Sequence, residues 1–191
     1  VKTEVDELRQ ERSKLNDYLL QQGEFTTANN TSTEQNAVTG DILAHTSSGS
    51  GKAVEFTYQP LPTNKIYIDT SEATAGGQFQ SSLRKAQTAV ERSKYEPVGD
   101  GMAVSLDTPK NWDFFKGGSA GLAFAAHIAS TDPDYKLRDG VTFTGEVSER
   151  GGVLTVQNIE EKARAAERNG YEVILTPYNS EEIDVEGIEV V

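Results

Sequence analysis

Phe79, Leu83, Ala86 and Val90 fall on one stripe of a helix over Gln78–Ser93, the spacing of an amphipathic helix packed by one face. The next helical stretch, Ser119–Ser130, is different: small and apolar residues run nearly all the way round it, as in a helix buried on most sides. A third helix over Ile159–Asn169 ends at Gly170 and splits into two halves. Glu160, Glu161, Arg164, Glu167 and Arg168 share one half, while Ile159, Lys162, Ala163, Ala165 and Ala166 share the other. Strands are expected at Val38–Thr46, Lys52–Tyr58, Ile66–Asp69, Met102–Leu106, Val141–Thr144, Val153–Val156 and Val173–Thr176, with a short last one at Ile188–Val191. Strands alternating with helices make the fold α/β or α+β, with mixed sheets and flanking helices.

The first 37 residues do not share this pattern. Val1, Val5, Leu8, Leu15 and Leu19 alternate spacings of four and three over a helix at 1–22, and Arg12 occupies the remaining core slot of the heptads. Barely three heptads support either a short coiled coil that joins copies of the chain or a helix packed on its own domain. Residues 23–37 are polar and aperiodic, a linker with overlapping glycosylation sequons at Asn29 and Asn30. The globular domain is expected over 38–191.

Composition narrows the chemistry. The 191 residues carry 18 Lys+Arg against 30 Asp+Glu, a net charge of −12, which disfavours nucleic acid and anionic membranes as partners. No apolar run is long enough to span a membrane, so an anchor would have to lie outside this chain. Cysteine is absent and only two histidines occur, so thiolate catalysis, Cys-ligated metals and most His-based metal sites and triads are unsupported. No metal and no cofactor is expected.

Ser48-Gly49-Ser50-Gly51-Lys52 looks like the tail of a phosphate-binding loop. It lacks the earlier Gly, which is Thr46 here, and the Ser or Thr after Lys, which is Ala53. It also joins two strands instead of opening a helix, so it reads as a hairpin turn. Lys116-Gly117-Gly118-Ser119-Ala120-Gly121 is more informative, because it runs straight into the buried helix. With only Gly and Ala beside it, the Ser119 hydroxyl is open to a substrate, and a helix N-terminus favours an alkoxide or oxyanion nearby. On local spacing alone Ser119 reads more readily as an ordinary N-cap than as a nucleophile. A nucleophile needs a base. His127 lies two turns along the helix and reads as a core residue, and nothing places His45 near Ser119. Lys162 is the only charged side chain on the inward half of its helix. Buried there, it would tend to lose its proton; at the edge of the stripe, it would reach solvent instead.

Four ordered blocks then carry a resemblance. Gly117-Gly118-Ser119-Ala120-Gly121, Thr144-Gly145-Glu146-Val147, Gly152-Val153-Leu154 and Glu161-Lys162 resemble the proteolytic domain of the Lon protease family, most strongly from about 101 to 178. The resemblance implies a serine peptidase with a Ser–Lys dyad: Ser119 as nucleophile, Lys162 as general base, and Thr144 orienting the Lys amine. The backbone N–H groups around Gly118 to Ala120 would serve the oxyanion. It further implies polypeptide substrates, ring-like or coil-assisted self-association and, with no Walker motif in this chain, cleavage of unfolded or exposed polypeptide without ATP. Three positions depart from the family pattern. Gly118 stands where the family usually has Pro, Lys116 where an acidic or polar residue is common, and Gln157-Asn158 where Gly-Gly leads into the Lys helix. These changes motivate an alternative, a degenerate domain retained for assembly or binding; a third reading is a self-processing protease, as in viral polyprotein proteases with the same dyad.

Overall fold

The computed structural model describes residues 37–46, 49–69, 74–108, 114–115, 117–178 and 183–191. The helix expected at 1–22, nearly all of the 23–37 linker with its sequons, and Lys116 lie outside the described residues. Among the described residues, eleven strands and three helices follow in order. They are β1 (Val38–His45), β2 (Gly51–Leu61), β3 (Ile66–Ile68), β4 (Thr74–Ala75), α1 (Gly77–Glu91), β5 (Gly101–Asp107) and β6 (Phe114–Phe115). After these come α2 (Gly121–Ala129), β7 (Val141–Phe143), β8 (Glu146–Val147), β9 (Val153–Leu154), α3 (Ile159–Arg168), β10 (Val173–Leu175) and β11 (Glu189–Val190).

The main sheet runs β1-β2-β5-β3, antiparallel except for the parallel pair β3–β5, which α1 connects. The second sheet, β11-β10-β7, is parallel throughout, and α3 lies on the crossover from β7 to β10. Parallel neighbours need a crossover, and the β3–β5 and β7–β10 crossovers each carry a helix that lends its apolar stripe to a core. β4 pairs with β6, and β8 with β9, as two short ribbons.

β1 shows how these layers meet. Consecutive residues Ile42 and Leu43 are both buried, although they point to opposite faces of the strand. Ile42 joins the core that the main sheet forms with α1 and α2, whereas Leu43 joins a second core with Ala163, Ala166 and Ile174. The main sheet is therefore covered on both sides. In the first core, Phe124 of α2 stands edge-on to Phe56 of β2 at 5.1 Å and to Phe79 of α1 at 5.4 Å between ring centroids.

The phosphate-loop lookalike is a hairpin turn between β1 and β2, closed by the Thr46 N–H on the Ser50 carbonyl and the Gly49 N–H on the Thr46 carbonyl. Its glycine at 51 has a packing role. A β-carbon there would overlap the Glu161 carbonyl and lie 3.1 Å from the Lys162 nitrogen, so only glycine lets α3 sit this close to β2. Arg168 donates from Nη2 to the Gly51 carbonyl at 3.1 Å and closes the same contact. Gly51→Ala is expected to lower unfolding stability by about 1–3 kcal/mol, the usual penalty of overpacking, because the obstacle is backbone. Urea denaturation reads this directly, and an unchanged midpoint would show that α3 can shift freely.

Candidate active site

Ser119 sits in a turn, not in a helix. The helix expected to start at Ser119 begins two residues later, at Gly121, with Ala120 as its N-cap and no side chain capping it. The N-cap reading of Ser119 is therefore corrected. Gly117 has φ of +93°, a conformation that favours glycine, and it swings the chain into the turn. The Gly121 N–H donates to the Gly118 carbonyl at 3.0 Å, and the Phe124 N–H to the Ala120 carbonyl at 3.0 Å. Among the described residues, the N–H groups of Ser119 and Ala120 donate to no backbone carbonyl. Its half-buried side chain leaves Ser119 reachable.

Two backbone bonds lock this turn onto the segment after β7. The Gly145 N–H donates to the Ser119 carbonyl at 3.0 Å, and the Leu122 N–H donates to the Gly145 carbonyl at 2.9 Å. Thr144 precedes that junction and is anchored from the other side by its N–H on the Leu175 carbonyl of β10. Its side chain is fully buried, and Oγ1 has no hydrogen-bond partner. Among the described residues a second buried, unpartnered hydroxyl, that of Thr108, follows β5; nothing in the sequence pattern had singled it out. Leaving a buried hydroxyl unpaired costs about 1–3 kcal/mol, so such atoms call for an explanation.

Lys162 lies on the buried side of α3 with Ile159, Ala163, Ala165 and Ala166, and is only 3% exposed. That exposure excludes the solvent-reaching reading. Burial draws its pKa down from 10.5 to about 8, against a smaller upward pull from the neighbouring Glu161 carboxylate. The helix carrying it starts from Asn158 at φ 58°, ψ 44°, the one non-glycine residue with positive φ among the described residues. Asn tolerates the left-handed region better than other side chains, so Asn158 reproduces the backbone that a glycine would adopt there. No side-chain hydrogen bond involves Ser119 Oγ or Lys162 Nζ among the described residues, and Thr144 Oγ1 is likewise unpaired. Ser119 and Thr144 are joined through backbone. Lys162 arrives from the β7–β10 crossover, whose two strands flank and anchor Thr144.

His127 belongs to the core. Its Nδ1 lies 2.8 Å from the Ala123 carbonyl, and its ring stands edge-on to Phe56 at 4.9 Å. Burial lowers its pKa, with small opposing contributions from that carbonyl and from Asp41. His45 is exposed at the end of β1. No group of three or more His, Asp or Glu is placed to hold a metal ion among the described residues.

An open, mostly apolar groove of about 390 Å³ runs along α2 from Leu122, Val147 and Val153 to Tyr135 and Leu137. Its near end lies on the segments that hold the Ser119 turn.

A mixed α/β domain that presents a serine on a glycine-lined turn and an almost wholly buried lysine on another helix fits a hydrolytic class. Comparison with known proteins gives the family. Residues 14–189 match the family model of the Lon protease (S16) C-terminal proteolytic domain, and the chain belongs to that family. It is 29% identical over 142 residues to Lon protease of Chloroflexus aurantiacus, covering 66% of this chain and 17% of that protein. It is 32% identical over 118 residues to Lon protease 1 of Hydrogenovibrio crunogenus, covering 59% of this chain and 14% of that protein. With Lon protease of Desulforamulus reducens it shares 42% identity over 137 residues, 65% of this chain and 16% of that protein. The matches thus span about a sixth of the length of these relatives.

Proposed function

We propose that this chain is an endopeptidase domain in which Ser119 is the nucleophile and Lys162 the general base, and that it cleaves unfolded or exposed polypeptide without ATP. The observation that carries the reading is Lys162, a lysine 3% exposed on an alanine-lined helix face and drawn by burial toward a neutral amine near physiological pH. Lys162 Nζ takes the Ser119 proton as Oγ attacks the substrate carbonyl carbon. The tetrahedral oxyanion is received by backbone N–H groups of the Gly118–Ala120 turn. Collapse breaks the C–N bond, and the protonated Lys162 gives its proton to the leaving amine. Lys162 then deprotonates a water that attacks the acyl ester and frees Ser119. Thr144 supplies an unpaired buried hydroxyl, available to accept from or donate to the amine and hold its orientation.

That role makes Thr144→Val informative in two directions. The substitution keeps the shape and deletes the hydroxyl, so kcat is expected to fall about ten- to a hundredfold. Unfolding stability, in contrast, is expected to hold or rise, because an unpaired buried oxygen is removed. Full activity in the variant would take Thr144 out of the mechanism.

The test of the proposal is hydrolysis of a fluorogenic peptide and of an unfolded protein by the purified chain without nucleotide. Activity that vanishes in Ser119→Ala supports it. A second reading, a degenerate domain, is favoured by Gly118 in the position where the resemblance expects proline. A folded chain inert toward both substrates would establish that reading, and mass spectrometry showing cleavage only at its own termini would indicate self-processing.

A further inference from the structure

Glu146 follows the Gly145 junction, and its side chain leans over the turn that carries Ser119. A β-carbon at Gly118 would lie 3.1 Å from Glu146 Cδ and 3.3 Å from Oε2, so the carboxylate covers the open side of that glycine. The other oxygen, Oε1, accepts from Lys85 Nζ at 2.7 Å. Lys85 projects from α1, which Phe79, Leu83, Ala86 and Val90 hold in the core. The same helix reaches the β8–β9 ribbon again at its end, where Arg92 donates from Nη1 to the Glu149 carbonyl at 3.2 Å. A firmly packed helix is thus tied to the residue that walls in the turn.

We propose that Glu146, held by Lys85, is a positioning residue for Ser119. Consecutive glycines give the 117–118 turn more backbone freedom than any other pair would, and the pattern that this chain resembles restricts it with proline. Here the ion pair supplies the restriction from outside the turn. The inference rests on Ser119 as nucleophile, because the geometry of Oγ matters to rate only if Oγ reacts; small misplacements of a reacting group cost rate steeply. The pair is partly exposed, with side chains 33% and 35% accessible, so its contribution is modest and sensitive to salt.

The experiment uses the full chain with Lys85→Met, Lys85→Arg, Glu146→Gln and the Lys85→Met/Glu146→Gln double variant. Ser119→Ala is the control for the underlying mechanism. Lys85→Met and Glu146→Gln are expected to lower kcat about three- to tenfold with KM nearly unchanged. The double variant should be no worse than either single one, since both break one interaction. Lys85→Arg should keep the rate. Amide hydrogen exchange of residues 117–120 should quicken in Lys85→Met whatever the assay reads, with folding verified by circular dichroism. Unchanged kcat in Lys85→Met and Glu146→Gln, with Ser119→Ala dead, would overturn the positioning role and leave the nucleophile standing. Unchanged exchange would also overturn it. Full activity in Ser119→Ala would remove the nucleophile and this inference together.

Discussion

Ser119→Ala and Lys162→Ala are each expected to abolish peptide hydrolysis, by roughly ten-thousandfold or more, and the double variant is expected to be little worse. Groups that act as one unit fail as one unit. Lys162→Arg should be as inactive as Lys162→Ala, since a guanidinium does not give up its proton at any pH the protein tolerates. The pH profile tests the same chemistry without mutation. A general base works in its unprotonated form, and burial places the Lys162 pKa at about 8. Below that value each unit of pH removes about nine-tenths of the neutral amine, so kcat/KM should climb about tenfold per unit and level off above pH 8. Cleavage by folded Lys162→Ala, or a flat profile between pH 6.5 and 9, would rule out lysine as the base.

A lysine suited to that task burdens the fold, and the second large effect is on stability. Lys162→Met should make the protein more stable at pH 7 while removing its activity. In the unfolded chain the amine holds its proton up to 10.5, whereas in the folded chain it releases it near 8. The unfolded state therefore binds more protons between these values, and stability rises with pH across that window. Sign and window follow: the contribution is complete above 10.5, declines as pH falls, and is lost below about 8, where a desolvated ammonium is carried in the core. A displacement from 10.5 to about 8 corresponds to roughly 3 kcal/mol, and methionine, of similar length and without charge, should recover about 1–3 kcal/mol of it at pH 7. The gain should shrink as pH is raised from 7 to 10. Urea denaturation at both pH values measures it, and a variant destabilised at pH 7 would mean that the ammonium has a compensating partner.

Much of the candidate site is legible along the chain. Spacing alone puts Lys162 on the alanine half of its helix, because side-chain direction on a helix repeats every 3.6 residues. The order of the four motif blocks, from Gly117 to Lys162, survives in one dimension. The amphipathic stripe of α1 and the near-uniform apolarity of α2 likewise foretell which faces are buried. Short pairings are another matter. β4 and β6 are two residues each and pair across 40 positions, Thr74 with Phe114, and β8 is equally brief, so none has a period to detect.

What the sequence by itself determined is direction and order: which residues face inward, and in what succession the reactive types occur. Depth and contact were decided by the tertiary structure. A helical wheel cannot distinguish a lysine at the stripe's edge from one 3% exposed, since exposure depends on what the rest of the chain lays over it. Nor could it place the start of α2 at Gly121. The Ser119 carbonyl is taken by the Gly145 N–H, a bond between residues that only folding brings together. The same holds for Glu146 over Gly118 and for the close seating of α3 on Gly51. Each is a meeting of distant segments, and the energy that selects it is absent until both have folded.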